Sequence, residues 1–189
     1  LGSADFSPEA SVEKRAQAVY DYLSKKGYTK EGISAILGNF SVESGINPKR
    51  AEGDYLNPPV GAHGNSWDEP SWLSMGGPQI YGGRFPNILH RGLGLGQWTD
   101  TADGGRRHTL LLDYAKGKNK KWYDLQLQLD FIFDGDAPGS RTAADNVARS
   151  KVAATIPELT TYFLTVWEGN PGDKLGERIQ AAQNWFTFF

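Results

Sequence analysis

The sequence predicts a mainly α-helical domain broken by one long irregular insertion. Two observations carry this reading. Apolar residues recur at three- and four-residue spacing in segments toward both ends of the chain, the period of an amphipathic helix. Between Asn47 and about Leu95 that period is lost, and Gly, Pro, Asn, Trp and Tyr dominate. At 189 residues the chain is long enough for one domain with a substantial core.

Each element has its own signal. Residues 11–26 place Val12, Ala16, Val19, Tyr20 and Leu23 on one face, with Ser11 as N-cap and Gly27 as terminator. Residues 30–44 follow Thr29 as cap and carry Ile33, Ile36, Leu37 and Phe40. The 47–95 excursion is too long for a featureless loop in a compact domain, so it should border a cleft and has room for a small β-hairpin. Residues 106–116 read as a helix with Leu110, Leu111 and Tyr114 inward. Residues 122–133 fit both periods: Leu125, Leu127, Leu129, Phe131 and Phe133 alternate as in a strand, whereas Trp122, Leu125, Leu129, Ile132 and Phe133 fit a helix. Helix is chosen because Leu and Gln favour it. Residues 141–149 suggest a short helix capped by Ser140. Thr155-Ile156-Pro157-Glu158 is a capping-box pattern opening a helix that should bury Leu159, Phe163, Val166 and Trp167. The last helix carries Leu175, Ile179, Ala182, Phe186 and Phe189 at 4-3-4-3 spacing. The chain begins Leu1-Gly2-Ser3 without Met, so residues 1–10 are read as a cloning scar or linker, and 11–189 as a single domain cut from a longer protein.

Composition excludes several classes. A formal net charge of −2 argues against a dedicated nucleic-acid surface. No apolar run reaches membrane-spanning length. The absence of cysteine removes disulfides and thiolate-bound zinc. His63, His90 and His108 are scattered, without the close pairing a zinc peptidase needs. Asp134-Gly135-Asp136, with Asp145 later, resembles the opening of a calcium loop. Pro138 and the missing Glu make a helix-capping turn the better reading, so no metal is expected. Lys116, Lys118, Lys120 and Lys121 read as a solvated turn that could attract anionic wall polymers. No cofactor is implied.

The chemistry concentrates in two motifs. Glu43 follows Phe40 by three residues and Ile36 by seven, so it shares the face of the buried residues. Gly45 and Asn47-Pro48 then break the helix. A half-buried carboxyl at a helix end suits a general acid, because desolvation keeps such a group protonated toward neutral pH; pairing with an Arg is the alternative. The second motif is Gly92-Leu93-Gly94-Leu95-Gly96-Gln97-Trp98. Its glycines permit close backbone approach, Gln97 offers donor and acceptor, and Trp98 offers an aromatic face, a combination suited to a sugar. No Lys-Ser/Thr follows, so a phosphate loop is discounted. Tyr55, Trp67, Trp72 and Tyr81 in the excursion are candidates for ligand contact or for pinning the loop.

Glu-Ser-x-x-Asn-Pro at Glu43–Pro48 together with Gly-x-Gly-Gln-Trp at Gly94–Trp98 resembles the phage-tail lysozyme family of peptidoglycan-cleaving domains. Arg106, Arg107 and Leu111–Ala115, then Phe163-Leu164-x-x-Trp167-Glu168-x-x-Pro171, and then Arg178, Ala181, Ala182 and Trp185 extend the resemblance over most of residues 12–186. The excursion between Pro48 and Leu93 departs from compact members. The resemblance implies a lysozyme-like fold with its cleft between a helical body and a smaller lobe, and a Gram-positive cell-wall or phage-tail setting, with peptidoglycan and other domains of the parent protein as partners. It implies Glu43 as catalytic acid, Gln97 and Trp98 as cleft lining, and Glu168 and Arg178 as cleft architecture. Tyr55, Trp67 and Glu168 join the expected substrate contacts.

A glycosidase of this kind needs a second carboxylate unless the substrate's own hydroxyl attacks, as in a lytic transglycosylase. Glu52, Asp54, Asp68, Glu69, Asp100 and Asp103 lie in candidate loops, and Asp54 and Asp100 are preferred because they closely follow the two motifs. The expected function is a muramidase cutting between N-acetylmuramic acid and N-acetylglucosamine. Its rivals are the transglycosylase and a non-catalytic wall-binding or tail-assembly domain.

Overall fold

A computed structural model describes residues 11–56 and 64–189. Its elements in order are α1 (Val12–Lys25), α2 (Lys30–Ser44), a 3-10 turn (Ser66–Asp68), α3 (Pro70–Leu73), α4 (Gly77–Ile80), β1 (Ile88–Leu93), β2 (Trp98–Thr101), α5 (Arg107–Gly117), α6 (Leu125–Asp134), α7 (Pro138–Ala148), α8 (Ile156–Tyr162), a π-helical turn (Phe163–Trp167) and α9 (Leu175–Phe188). The architecture is mainly helical with one two-stranded antiparallel hairpin. The expected scar or linker at residues 1–10 lies outside the described residues.

Helix α2 is the axis of the body. Every residue from Gly32 to Phe40 is buried, because α1, α7, α8 and α9 pack around it. Apart from Asn39, whose amide is hydrogen-bonded, its sequence between Ile33 and Phe40 is apolar or small all round, the mark of a helix enclosed on every side. Two glycines set the closest approaches. A Cβ on Gly32 would meet the Val147 carbonyl oxygen at 2.3 Å, and one on Gly38 would meet the Arg178 carbonyl oxygen at 2.5 Å. The helix starts where the Thr29 hydroxyl accepts the Gly32 N–H. It stops at left-handed Gly45, with the Ile46 N–H returning to the Phe40 carbonyl. Ile46 itself has φ +53°, a strained value for a β-branched residue. The buried Arg15 guanidinium holds that turn by donating to the carbonyls of Ile46 (2.6 Å) and Gly45 (3.2 Å).

The excursion resolves into short elements and half of the hairpin. β1 pairs with β2 through Ile88–Thr101, His90–Asp100 and Leu93–Trp98, with irregular register between. Buried Gln128 on α6 ties the excursion's two ends down. Its Nε2 donates to Pro48 O and Trp122 O, both at 2.8 Å, and its Oε1 accepts the Leu95 N–H at 2.9 Å. Arg91, also buried, lies 3.9 Å over the Trp72 ring and donates to Glu52 O.

Three local expectations need correction. α7 begins at Pro138 behind Ala137, without a cap from Ser140, since proline's fixed φ already suits the first helical position. Val166 is exposed, and Leu164 is buried in its stead: the π-helical turn adds a residue to the loop and rotates the face that points inward. In α5 the fully buried residues are His108, Leu111 and Ala115, while Leu110 and Tyr114 lie half-buried at the edge. The ambiguous 122–133 segment is helical from Leu125, capped by the Asp124 carboxylate on the Leu127 N–H.

Candidate active site

A cleft of about 460 Å³ separates the helical body from the hairpin lobe. Glu43, Arg107, Glu168, Gly169 and Asn170 line it from the body. Glu52, Ile88, Gly96, Gln97, Thr99, Thr101, Asp103 and Gly105 line it from the lobe. Polar side chains on both walls suit a hydroxyl-rich ligand.

Glu43 sits one residue before the end of α2, with 22% of its side chain exposed. Arg178 Nη2 donates to its Oε1 at 2.8 Å. The same guanidinium donates through Nη1 to Glu168 Oε2 (3.0 Å) and Asn39 Oδ1 (3.3 Å), and through Nε to the Asp173 carbonyl (2.9 Å). Arg178 therefore joins α2, α9 and the turn after the π-helical segment. It reaches Glu43 because α9 crosses α2 at Gly38, where a side chain would intervene. Burial pushes the Glu168 carboxyl well above the ordinary carboxylate range. The nearby Glu43 charge and a side-chain hydrogen bond with Glu43 push the same way, and Arg178 and Arg107 oppose. Desolvation, expected for a catalytic acid at Glu43, thus falls most heavily on its neighbour.

Glu52 stands on the opposite wall. Its Oε1 accepts the Gly92 N–H at 3.0 Å and its Oε2 accepts the Tyr81 hydroxyl at 2.8 Å. Burial and this carboxylate push the Tyr81 hydroxyl far above its usual range, so Tyr81 stays a donor. Gln97, at φ +50° in the hairpin turn, donates from Nε2 to Gly94 O at 2.9 Å and contributes to the cleft wall. Its amide carbonyl is the group left for a ligand.

Several expected site residues lie elsewhere. Asp54 does not line the cleft; it accepts the Ala51 N–H at 3.1 Å and pairs with Arg50 at 3.0 Å, closing its own turn. Asp100 is 3% exposed, and its oxygens bind His90, the Thr109 hydroxyl and the Thr109 N–H. Burial alone would raise it, but those donors outweigh burial and hold it below the usual carboxylate range. Trp98 is a core residue. Its Nε1 donates to Asp136 Oδ2 at 3.2 Å, and its ring meets Phe131 and Trp167 edge-on. An inward position in β2, under the body, buries it. Trp67 packs against Trp72 with tilted rings 4.6 Å apart and donates to Lys49 O, which pins the excursion. Tyr55 is exposed and outside the cleft. Asp103 does line the cleft, as the acceptor in its own turn for Thr101 and the Gly105 N–H.

The calcium-like acids are dispersed in other roles. Asp136 takes both Arg107 Nε and Nη2, Asp134 accepts the Tyr114 hydroxyl, and Asp145 pairs with Arg149. Sequence reasoning named Glu52 only among the loop acids and assigned Arg178 no direct contact. Nothing local distinguishes Glu52. Arg178 did carry a signal: it lies three residues after Leu175 and four before Ala182, a charge on an apolar face.

The chain belongs to the phage tail lysozyme family, whose model matches residues 14–189. No curated protein matches the chain. Membership implies peptidoglycan degradation, in a virion tail or at the cell wall.

Proposed function

We propose that the protein is a muramidase, hydrolysing the β-1,4 bond between N-acetylmuramic acid and N-acetylglucosamine, with Glu43 as general acid. The observation that carries this reading is a pair of carboxyls on opposite walls of one polar cleft, Glu43 on the body and Glu52 on the lobe. Glu43 gives its proton to the glycosidic oxygen as an oxocarbenium-like transition state develops. Glu52 replaces Asp54 and Asp100 as the second carboxylate. Anchored by Gly92 and Tyr81, it presents negative charge to the cleft, where it stabilises the developing cation and orients the attacking water. Gln97 positions the sugar by its amide. Glu168 belongs to the floor beneath Glu43, Trp98 and Trp67 support the fold instead of contacting substrate, and exposed Tyr55 lies outside the cleft. The setting that fits this activity is a Gram-positive cell wall, reached from a phage tail or as a secreted hydrolase.

Mass spectrometry of soluble fragments from Gram-positive peptidoglycan tests this, using wild type, Glu43→Gln and Glu52→Gln. Reducing-end muramic acid should appear with wild type and vanish with Glu43→Gln. Activity retained by Glu43→Gln would sink the assignment. Anhydro ends, with Glu52→Gln still active, would replace hydrolysis by transglycosylation. No fragments from any wall type would leave a binding or assembly domain.

A further inference from the structure

Beneath Glu43 lies a cluster of two carboxyls around one guanidinium. Arg178 bridges Glu43 and Glu168, and the exposed fractions of the Arg178 and Glu168 side chains are only 2% and 6%. The other cation near Glu168 is Arg107. Its charge is answered by Asp136 through two bonds of 3.0 and 2.7 Å. The remaining titratable groups of the cleft, Glu52 and Asp103, stand on the lobe wall with their own donors. With both carboxyls ionised, two negative charges would share one guanidinium, and the excess would fall on the buried Glu168, which is costly. Two carboxyls in such a site retain a proton between them. Glu168 Oε1 is buried, and no donor among the described residues reaches it. Glu43 is the neighbouring carboxyl and lies within hydrogen-bonding reach of the Glu168 side chain.

We propose that Glu168 is the positioning residue of the Glu43 acid: bridged by Arg178, the two carboxyls share one proton, which Glu168 stores between turnovers. The inference rests on Glu43 being the acid. The proton on Glu168 passes to Glu43, which gives it to the glycosidic oxygen as the C–O bond breaks. Solvent then returns a proton to Glu43 and through it to Glu168. Glu168 touches no substrate atom in this sequence. It also stands too close to Glu43, on the same wall, to serve as the opposing carboxylate of a glycosidase.

The test compares pH profiles of kcat and KM on soluble glycan fragments for wild type, Glu168→Gln, Glu168→Asp and Glu43→Gln. Glu168→Gln leaves Glu43 alone with Arg178, which favours the charged form. The alkaline limb should therefore move down by about one pH unit or more, a loss of at least about tenfold in kcat at neutral pH that acid restores. KM should stay within about twofold, and Glu168→Asp should recover the wild-type profile. A Glu168→Gln profile of unchanged shape, even if uniformly lower, would overturn the inference. Activity in Glu43→Gln would instead overturn the acid assignment itself. Carboxyl-labelled glutamate NMR on the wild-type protein gives a readout independent of whether Glu168→Gln folds, with the Glu168 signal assigned by its loss in Glu168→Asp. A protonated Glu168 at pH 7 supports the proton store, and an ionised one overturns it.

Discussion

Gly38→Ala should separate catalytic geometry from general stability. The added Cβ would lie 2.5 Å from Arg178 O, 2.6 Å from Ala182 Cβ and 2.8 Å from Ala182 N. All three belong to the backbone or to a side chain without rotamers, so α9 itself must retreat. Restoring the 3.4 Å of ordinary contact to Arg178 O needs about 0.9 Å. Overpacking of this kind costs about 1–3 kcal/mol, and the better helix propensity of Ala returns up to about 1 kcal/mol. A net loss of about 1–2 kcal/mol lowers Tm by roughly 2–8 °C in a domain of this size. The same retreat carries Arg178 away from Glu43 and stretches their 2.8 Å bond beyond hydrogen-bonding range. Misplacement on the order of 1 Å near a reacting group costs on the order of 100-fold in rate. The assay is release of soluble fragments from peptidoglycan, paired with a thermal melt. Gly27→Ala, at the end of α1 and away from the cleft, is the control. At φ +90° with nothing within 4 Å of its Cβ, it should cost about 1–2 kcal/mol through the backbone alone. Fragment release by folded Gly38→Ala within about twofold of wild type would refute the claim that this crossing positions Arg178 on Glu43.

Two further outcomes are expected. Trp98→Ala should lose about 3–5 kcal/mol of stability, the usual cost of emptying a buried aromatic site, while its folded fraction binds glycan as wild type does. Weakened binding at unchanged Tm would return Trp98 to the cleft. His108 is buried and its Nδ1 lies 2.6 Å from the Arg91 carbonyl; burial lowers its pKa below the usual 6.5. Its stabilising contribution is therefore present above about pH 6.5 and is lost as pH falls toward the folded-state value, at no more than about 1.4 kcal/mol per pH unit. Glu168, pushed the other way, contributes stability at low pH that is lost as pH rises. The measurement is thus the difference between wild type and His108→Gln in urea unfolding at pH 7.5, 6.5 and 5.5. Parallel curves would remove His108 as a source of acid sensitivity.

The helices were legible because their periodic residues enclose α2, and the caps Ser11, Thr29 and Thr155 sit where the hydroxyls are used. The face of Glu43 was legible for the same reason: its spacing from Ile36 and Phe40 set it at the edge of the buried stripe. The lobe wall was not. In an irregular segment no period says which acid faces the cleft. Glu52 faces it because its backbone pairs with Gly92 while Tyr81 holds its carboxylate, contacts spanning 29 to 40 residues. Trp98 was misread as a sugar platform because a glycine-rich turn before an aromatic suits both a cleft and a strand end. The closed contacts with Asp136, Phe131 and Trp167 decide for the core.

The position of Glu43 depends on residues that are remote in sequence. Its helix ends in a strained Gly45–Ile46 turn held by Arg15, and its carboxyl is held by Arg178, 135 residues away. Both arginines are buried, so each costs desolvation that its hydrogen bonds must offset. Neither expense is needed to fold a helical bundle, since an apolar residue of similar length would fill either position. What the two charges supply is a fixed direction: one fixes where α2 ends, and the other fixes where its last carboxyl points. On the opposite wall, buried Arg91 does the same for Glu52 by holding the Glu52 carbonyl against β1. The three buried guanidiniums thus place the two facing carboxyls, which accounts for polar groups at sites where packing alone would favour leucine.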